Sequence, residues 1–189
     1  MAQLAPPPAR LVVDGAGLDR LVWRLARELQ ERHPAAGTAV LCGVRRRGEP
    51  LALRLRDAIA RQGGAAWPAV GVDVGPYRDD APRAPLAGAG LLAPAARADI
   101  QDRTVILVDD VLFHGRTVRA ALAAIAQLGR PGAVELCVLV DRGHRELPVR
   151  ATYVGKNLPT APAEHVAVRL RETDGQDGLY LLSTAPSPS

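Results

Sequence analysis

Two hydrophobic rhythms alternate along this chain, and together they predict an α/β protein. Thr38 to Gly43, Val105 to Val108 and Ala133 to Val140 are nearly unbroken apolar runs, the pattern of strands covered on both faces in a parallel sheet. Ala69 to Val74 alternates and reads as a further strand. Between the runs the spacing becomes helical. Leu18, Leu21, Val22, Leu25 and Leu29 fall on one face at about 100° per residue, which predicts a helix from Leu18 to Arg32. Pro50 to Ile59 and Thr117 to Leu128 read as two more helices, the second stopped by Gly129-Arg130-Pro131-Gly132. Towards the C-terminus the runs shorten. Ala151 to Gly155, Glu164 to Leu170 and Gly178 to Leu182 are separated by turn-rich segments and predict a small hood of strands. From about Ala81 to Ala98, Ala, Pro and Gly dominate without a period. A loop of that length inside a compact domain is functional or disordered.

The chemistry gathers between Val105 and Thr117, where a buried strand hands over to a helix through Asp109, Asp110 and Phe113-His114-Gly115. In open α/β sheets ligands bind at the carboxyl ends of the strands. Gly115 lets the backbone turn closely, and the free N–H groups of a helix start attract an anion, aided by the Thr117 hydroxyl and the Arg116 charge. Two carboxylates would be a poor addition to a site built for anions alone. They suit the vicinal hydroxyls of a ribose whose 5-phosphate lies in the loop, and they can help hold magnesium. A solvent-exposed loop is the competing reading of a bare Asp pair. The order strand, acidic pair, glycine turn, hydroxyl and helix, without the Gly-Lys-Ser/Thr of a P-loop, favours the ligand site. Val44-Arg45-Arg46-Arg47-Gly48 sits between another buried strand and a helix, which makes it a second anion site at the same edge or, more plainly, a solvated charge run.

The central stretch resembles the signature of the type I phosphoribosyltransferases. Leu139-Val-Asp-Arg-Gly-His-Arg-Glu-Leu-Pro148 and Tyr153-Val-Gly-Lys-Asn-Leu-Pro-Thr160 are similar, more narrowly, to the family of bifunctional pyrimidine operon attenuation proteins and uracil phosphoribosyltransferases, over roughly residues 11 to 182. The resemblance implies a Rossmann-like, mostly parallel sheet flanked by helices, with a hood at about 142–182 and a mobile active-site loop at about 78–98. It implies that uracil and phosphoribosyl diphosphate give uridine monophosphate (UMP) and pyrophosphate. Phosphoribosyl diphosphate would be bound by Val105, Ile106, Leu107, Val108, Asp109, Asp110, Val111, Leu112, Phe113, His114, Gly115, Arg116 and Thr117, and at its pyrophosphate by Arg45, Arg46, Arg47, Gly48 and Arg78. Whether Arg83 or Arg97 takes the place of Arg78 stays open. Asp109, Asp110 and Arg47 would be the catalytic residues. The cofactor implied is magnesium (Mg2+), held at Asp109 and Asp110 largely through substrate and water. The base pocket would use Arg142, Tyr153, Val154 and Val166. His114 departs from the family's usual Thr or Ser, while His144 reads either as a general base or as a structural residue.

The helix from Leu18 opposes its apolar face with a stripe of Arg20, Arg24 and Arg27, with Trp23 at its border and Arg32 a turn further on. Alone, the stripe reads as a solvated face. The resemblance implies an RNA-binding surface that takes the leader of pyrimidine operon messages, with Arg145, Arg150 and Lys156 as further members, responsive to UMP and UTP. Trp23 and Arg27 stand where the family has threonine and histidine. The alternatives are a nucleotide-sensing RNA regulator with little catalytic activity, or a purine phosphoribosyltransferase with no RNA role.

Length and charge refine this picture without redirecting it. The 189 residues suit one domain, 1–189, with loose tails at about 1–10 and 183–189. The net charge of +4 is carried almost wholly by arginine, since Lys156 is the sole lysine, and arginine favours bidentate phosphate contacts. Met1 to Arg10 contains Pro6-Pro7-Pro8 and no apolar core of a signal peptide, and no membrane partner is expected. Cys42 and Cys137 lie inside apolar runs, which fits reduced, buried thiols in a cytoplasmic protein. Self-association into a dimer or larger assembly is a further implication of the resemblance.

Overall fold

Every residue from Ala39 to Val44 and from Val105 to Asp109 is buried, as strands sandwiched between helices must be. These strands lie at the centre of a computed structural model that describes residues 9–35, 37–65, 67–78 and 100–183. The expected mobile loop lies outside the described residues except for Arg78, as do residues 1–8 and 184–189 of the expected tails. The chain runs β1 (Ala9–Asp14), α1 (Gly15–Arg32), β2 (Ala39–Val44), α2 (Gly48–Arg61), β3 (Ala69–Val72), a 3-10 turn (Gly75–Tyr77) and β4 (Thr104–Leu112). It continues through α3 (Arg116–Leu128), β5 (Ala133–Asp141), β6 (Tyr153–Asn157), β7 (Glu164–Arg169), the single turn α4 (Arg171–Asp174) and β8 (Gly178–Ser183). A five-stranded sheet has the order β3-β2-β4-β5-β6, with all its pairs parallel.

Alternation along β4 separates two cores. Ile106 and Val108 point to the face covered by Leu18, Leu25 and Leu29 of α1 and by Leu51, Leu55 and Ile59 of α2. Val105, Leu107 and Leu112 point to the other face, which Ala120, Ala124 and Ile125 of α3 cover. Asp14 caps α1, its carboxylate accepting from Gly17 N at 2.7 Å. Gly48 opens α2 hard against β4, where a Cβ would come within 2.2 Å of the Val108 carbonyl oxygen. Only glycine permits that approach, and it brings the arginine loop beside the acidic end of β4. Both cysteines are free and buried, and burial pushes their thiols up to about 12, so they stay protonated and inert.

Three expectations need correction. The terminal segment is not loose from Ala9 onward, because β1 pairs antiparallel with β8 and β8 with β7, making a separate three-stranded hood. The Ala151 to Gly155 strand does not belong to that hood. As β6 it adds to the parallel sheet beside β5, with Cys137 opposite Tyr153 and Asp141 opposite Asn157. Finally, β4 does not end at Val108: its ladder with β5 continues to Leu112 opposite Asp141, so the two aspartates lie within the strand.

Candidate active site

Asp109 and Asp110 lie in the second half of β4. Asp109 accepts a hydrogen bond from Asp110 N and Asp110 one from Val111 N, each at 2.9 Å. Burial pushes both carboxyl groups above the ordinary carboxylate range, most strongly for Asp109, where the neighbouring Asp110 charge adds to the effect. Two cations oppose this: Arg78 draws Asp109 down and Arg47 draws Asp110 down. Such a pair favours a partner that brings positive charge or hydroxyl donors.

Beyond the pair the chain turns through Gly115 at φ 94°, in the left-handed region, and a Cβ there would meet Val149 Cγ2 at 2.4 Å. The first turn of α3 then opens onto a cavity of about 210 Å³ whose walls include Arg78, Asp109, Phe113, His114, Arg116 and Thr117. Free amides, a hydroxyl and two guanidinium groups thus converge on one space beside a carboxylate. The Phe113 ring is enclosed on both sides: the Arg142 guanidinium lies 3.8 Å from its centroid, and His114 stacks on it at 3.5 Å with the planes 27° apart. Arg142 is buried and donates to Thr160 Oγ1 at 3.1 Å and to the Glu164 carbonyl at 2.6 Å, tying the entry to β7 to this edge of the sheet.

The arginine loop approaches from β2. Arg47 donates to Asp174 Oδ1 at 2.8 Å and Oδ2 at 3.3 Å, an ion pair that joins this loop to α4 in the hood. Asp174 is itself held by Leu170 N and the Thr173 hydroxyl, and the Arg47 guanidinium keeps its carboxyl well below the usual carboxylate range. Arg45, joined to Arg46 by a cis peptide, pairs loosely with Glu49 at 3.6 Å, and Arg46 is exposed.

The structure therefore brings together Asp109, Asp110, Arg47, Gly48, Arg78, Arg142, Val111 and Phe113 to Thr117. Val105, Ile106, Leu107 and Val108 fill the two cores and support the site from beneath. Tyr153 is not at the pocket. Its ring is buried, and its hydroxyl donates to Glu135 Oε2 at 2.5 Å with His33 Nε2 3.1 Å away, near the start of β5 and the amino edge of the sheet. Val154 packs against the core beneath α3, and Val166 against the core on the α1 side.

The expected RNA-contacting arginines also divide. Arg20 is exposed, Arg27 pairs with Glu31, and Arg32 lies 3.6 Å from Glu135. Arg24 instead docks on β6, donating to the carbonyls of Val154 at 2.9 Å and Gly155 at 2.5 Å. Arg145 binds Asp141 and the Phe113 and Val149 carbonyls, so its guanidinium braces the phosphate loop rather than facing solvent. Arg150 is exposed and Lys156 half-buried. Sequence reading missed Asp174, the partner of Arg47, and Glu146, which receives two hydrogen bonds from Arg116 and lies 3.4 Å from His114 Nδ1.

An acidic pair between a glycine-turned helix start and an arginine loop, at the carboxyl edge of a parallel sheet, defines a phosphoribosyltransferase site. The phosphoribosyl transferase domain model matches residues 15–173. The hypoxanthine phosphoribosyltransferase of Trypanosoma cruzi superposes with a TM-score of 0.68 at 16% identity, covering 92% of this chain and 96% of that one, which shows the shared fold. Among curated relatives, the Bifunctional protein PyrR of Chloroflexus aurantiacus is 52% identical over 86% of this chain and 89% of its own length. The proteins of that name from Pelotomaculum thermopropionicum and Streptomyces coelicolor are 47% and 48% identical, over 92% and 95% of this chain and 96% and 93% of their own lengths. The chain belongs to the PyrR family of phosphoribosyltransferases.

Proposed function

We propose that this chain transfers the phosphoribosyl group of phosphoribosyl diphosphate to uracil, and that it binds the leader RNA of pyrimidine genes in response to uridine nucleotides. The observation that carries the enzymatic half is the pair Asp109–Asp110, desolvated and facing Arg47 and Arg78 across the phosphate loop. In the reaction the bond from ribose C1 to the pyrophosphate oxygen breaks, the bond from C1 to uracil N1 forms, and the N1 proton leaves. Asp109 and Asp110 accept hydrogen bonds from the ribose hydroxyls. The amides around Gly115 to Thr117 hold the 5-phosphate, and Arg47, with Arg45, Arg46 and Arg78 nearby, faces the departing polyanion. Phe113 is clamped between Arg142 and His114, which leaves its ring edge as the apolar surface near the base. Among the described residues no cluster of three or more acids, cysteines or histidines could cage a metal. Asp109 and Asp110 would hold a magnesium ion together with the substrate, and the ion would supply positive charge to the leaving pyrophosphate.

Among the described residues no helix is long and apolar enough to cross a membrane. A place in the cytoplasm belongs to the same reading, with Cys42 and Cys137 as reduced, buried thiols. Self-association is part of the same reading and is measured by light scattering.

Parallel assays of uracil, hypoxanthine, guanine and orotate with magnesium and phosphoribosyl diphosphate test the enzymatic half. Turnover of uracil alone is expected, and turnover of a purine in its place would overturn the base assignment. The regulatory half requires a leader hairpin to bind more tightly than random RNA, with a log–log salt slope of about −0.7 for each single-strand phosphate neutralised.

His114, stacked on Phe113 and close to Glu146, supplies a separate test. His114→Thr is expected to leave KM for phosphoribosyl diphosphate unchanged or lower, because a hydroxyl fits a phosphate nest with less crowding. A rise of more than about tenfold would give the imidazole its own ligand contact, since a charge-assisted hydrogen bond is worth about 1.5–3 kcal/mol. If every base fails while UMP still binds, the chain is a nucleotide sensor.

A further inference from the structure

The phosphate loop is held from behind by the chain that follows β5. Three consecutive carbonyls face that segment: Leu112 O accepts from Arg142 N at 3.1 Å, Phe113 O from the Arg145 guanidinium at 2.9 Å, and His114 O from Glu146 N and Leu147 N at 3.1 and 3.2 Å. A trans peptide is planar, with its carbonyl and the following N–H pointing in opposite directions. Holding those carbonyls on one side therefore turns the amides of Phe113, His114 and Gly115 to the other. On that other side lies the cavity, whose walls come from Arg78, Asp109 and residues 111–118, with nothing from 142–149. Among the described residues none of the three amides donates to a protein acceptor. Arg145 gathers the brace together. Its guanidinium also donates to the Gly143 carbonyl at 3.0 Å and the Val149 carbonyl at 3.2 Å, and it pairs with Asp141, the last residue of β5. The chain reaches it through Gly143 and His144, both in the left-handed region at φ 79° and 57°, which turns it back beneath the loop. A planar fork of five donors can serve three carbonyls and a carboxylate at once, which the three donors of an ammonium cannot.

We propose that Arg145 is a positioning residue for phosphoribosyl transfer: through the Phe113 carbonyl it aims the amides of the phosphate loop at the 5-phosphate of the sugar, without touching the ligand itself. This role rests on the phosphate site proposed above and gives Arg145 a task other than contact with RNA. A cation on the Phe113 carbonyl also polarises that peptide, so the His114 N–H on its far side becomes a stronger donor.

The test separates the two ends of the sugar substrate. The full chain is titrated calorimetrically with ribose 5-phosphate and, separately, with pyrophosphate and magnesium. Arg145→Gln is expected to weaken ribose 5-phosphate by about tenfold, the size of one charge-assisted hydrogen bond, and to leave pyrophosphate within about twofold. Arg145→Lys should share most of that loss, because its ammonium keeps the charge beside Asp141 but not the fork, and its Tm should fall by no more than a few degrees. Should Arg145→Gln fail to fold, the lysine variant carries the comparison. In turnover, KM for phosphoribosyl diphosphate should rise with kcat less affected. Equal losses for both ligands would make Arg145 a general support of the fold and overturn the assignment. Unchanged affinity for ribose 5-phosphate would overturn it too, by showing that the amides keep their direction without the guanidinium. Weaker leader RNA binding with ribose 5-phosphate unaffected would return Arg145 to an RNA surface. A wild-type chain that binds neither ligand would instead remove the transferase site itself, a result seen before any variant is compared.

Discussion

Replacing Asp109 and Asp110 together by asparagine is expected to lower kcat/KM for phosphoribosyl diphosphate by at least about 10³-fold and, at the same time, to make the protein more stable at neutral pH. The loss follows from electrostatics. Removing a single preorganised group that stabilises transition-state charge costs about 10²–10³ in rate, and here the two carboxylates proposed to hold the ribose and its magnesium are neutralised at once. The gain follows from burial. Both carboxyl groups titrate above the ordinary carboxylate range because they are desolvated and adjacent. A group whose pKa is raised by folding holds its proton in the folded state after the unfolded chain has released it, so stability falls as pH climbs from the unfolded value through the raised one. Asparagine has no proton to lose. The double variant should therefore show a flatter dependence of Tm on pH above about 4, and a Tm at pH 8 higher than wild type by about 2–4 °C for each kcal/mol relieved. Calorimetry from pH 5 to pH 8 beside single-turnover assays separates the two effects. Near-normal turnover would sink the site assignment, and an unchanged pH dependence would show that the carboxylates are solvated.

How much of this was legible in the sequence depends on whether the deciding interactions are local. The acidic pair, Gly115 and Thr117 lie within nine residues, so strand, turn and helix start could be read from adjacent positions. The helices could too, since their apolar stripes repeat at 3.6 residues, although each begins a little earlier than its first apolar position. What escaped was set by long-range pairing. β1 is a short, half-exposed strand, legible only once β8 is beside it with Leu11 opposite Tyr180. β6 and the hood strands look alike in sequence. Only register decides that β6 joins β5, and with it that the Tyr153 hydroxyl turns towards Glu135 and His33 rather than a base. Arg24 and Arg145 looked like surface cations, each with a carboxylate four residues away, Glu28 and Asp141. Their further partners are backbone carbonyls, Arg24 reaching 130 residues along the chain and Arg145 32 residues. A carbonyl carries no mark in the sequence, and arginine, with five donors in a fixed fork, is well suited to collecting several of them.

Asp174 is the clearest case of a site residue that sequence reading passes over, and it supports a prediction on the pyrophosphate side. Its ion pair with Arg47 is partly exposed, 38% and 21% by side chain, so its contribution to stability is small and its main consequence is geometric. A two-point contact fixes the guanidinium plane beside Asp110, where the proposed mechanism puts the departing pyrophosphate. Arg47→Ala is expected to lower kcat/KM for phosphoribosyl diphosphate by about 10²-fold or more, as removal of a charge-stabilising donor does. Arg47→Lys should recover little, because an ammonium cannot hold Asp174 and pyrophosphate with one planar fork. Asp174→Asn keeps the shape but weakens the clamp. KM should rise by about 3- to 10-fold with kcat less affected, and Tm should move by no more than a few degrees. Because Arg47 holds the Asp174 carboxyl below the usual range, the clamp stays ionised from pH 5 to pH 9, and the defect should not vary across that span. The decisive comparison is the double variant: if Asp174 acts only through Arg47, then Asp174→Asn adds nothing once Arg47 is alanine. Additive losses would give Asp174 a contact of its own. A KM that falls in Asp174→Asn would reverse its role, making the carboxylate a competitor that pyrophosphate must displace from Arg47.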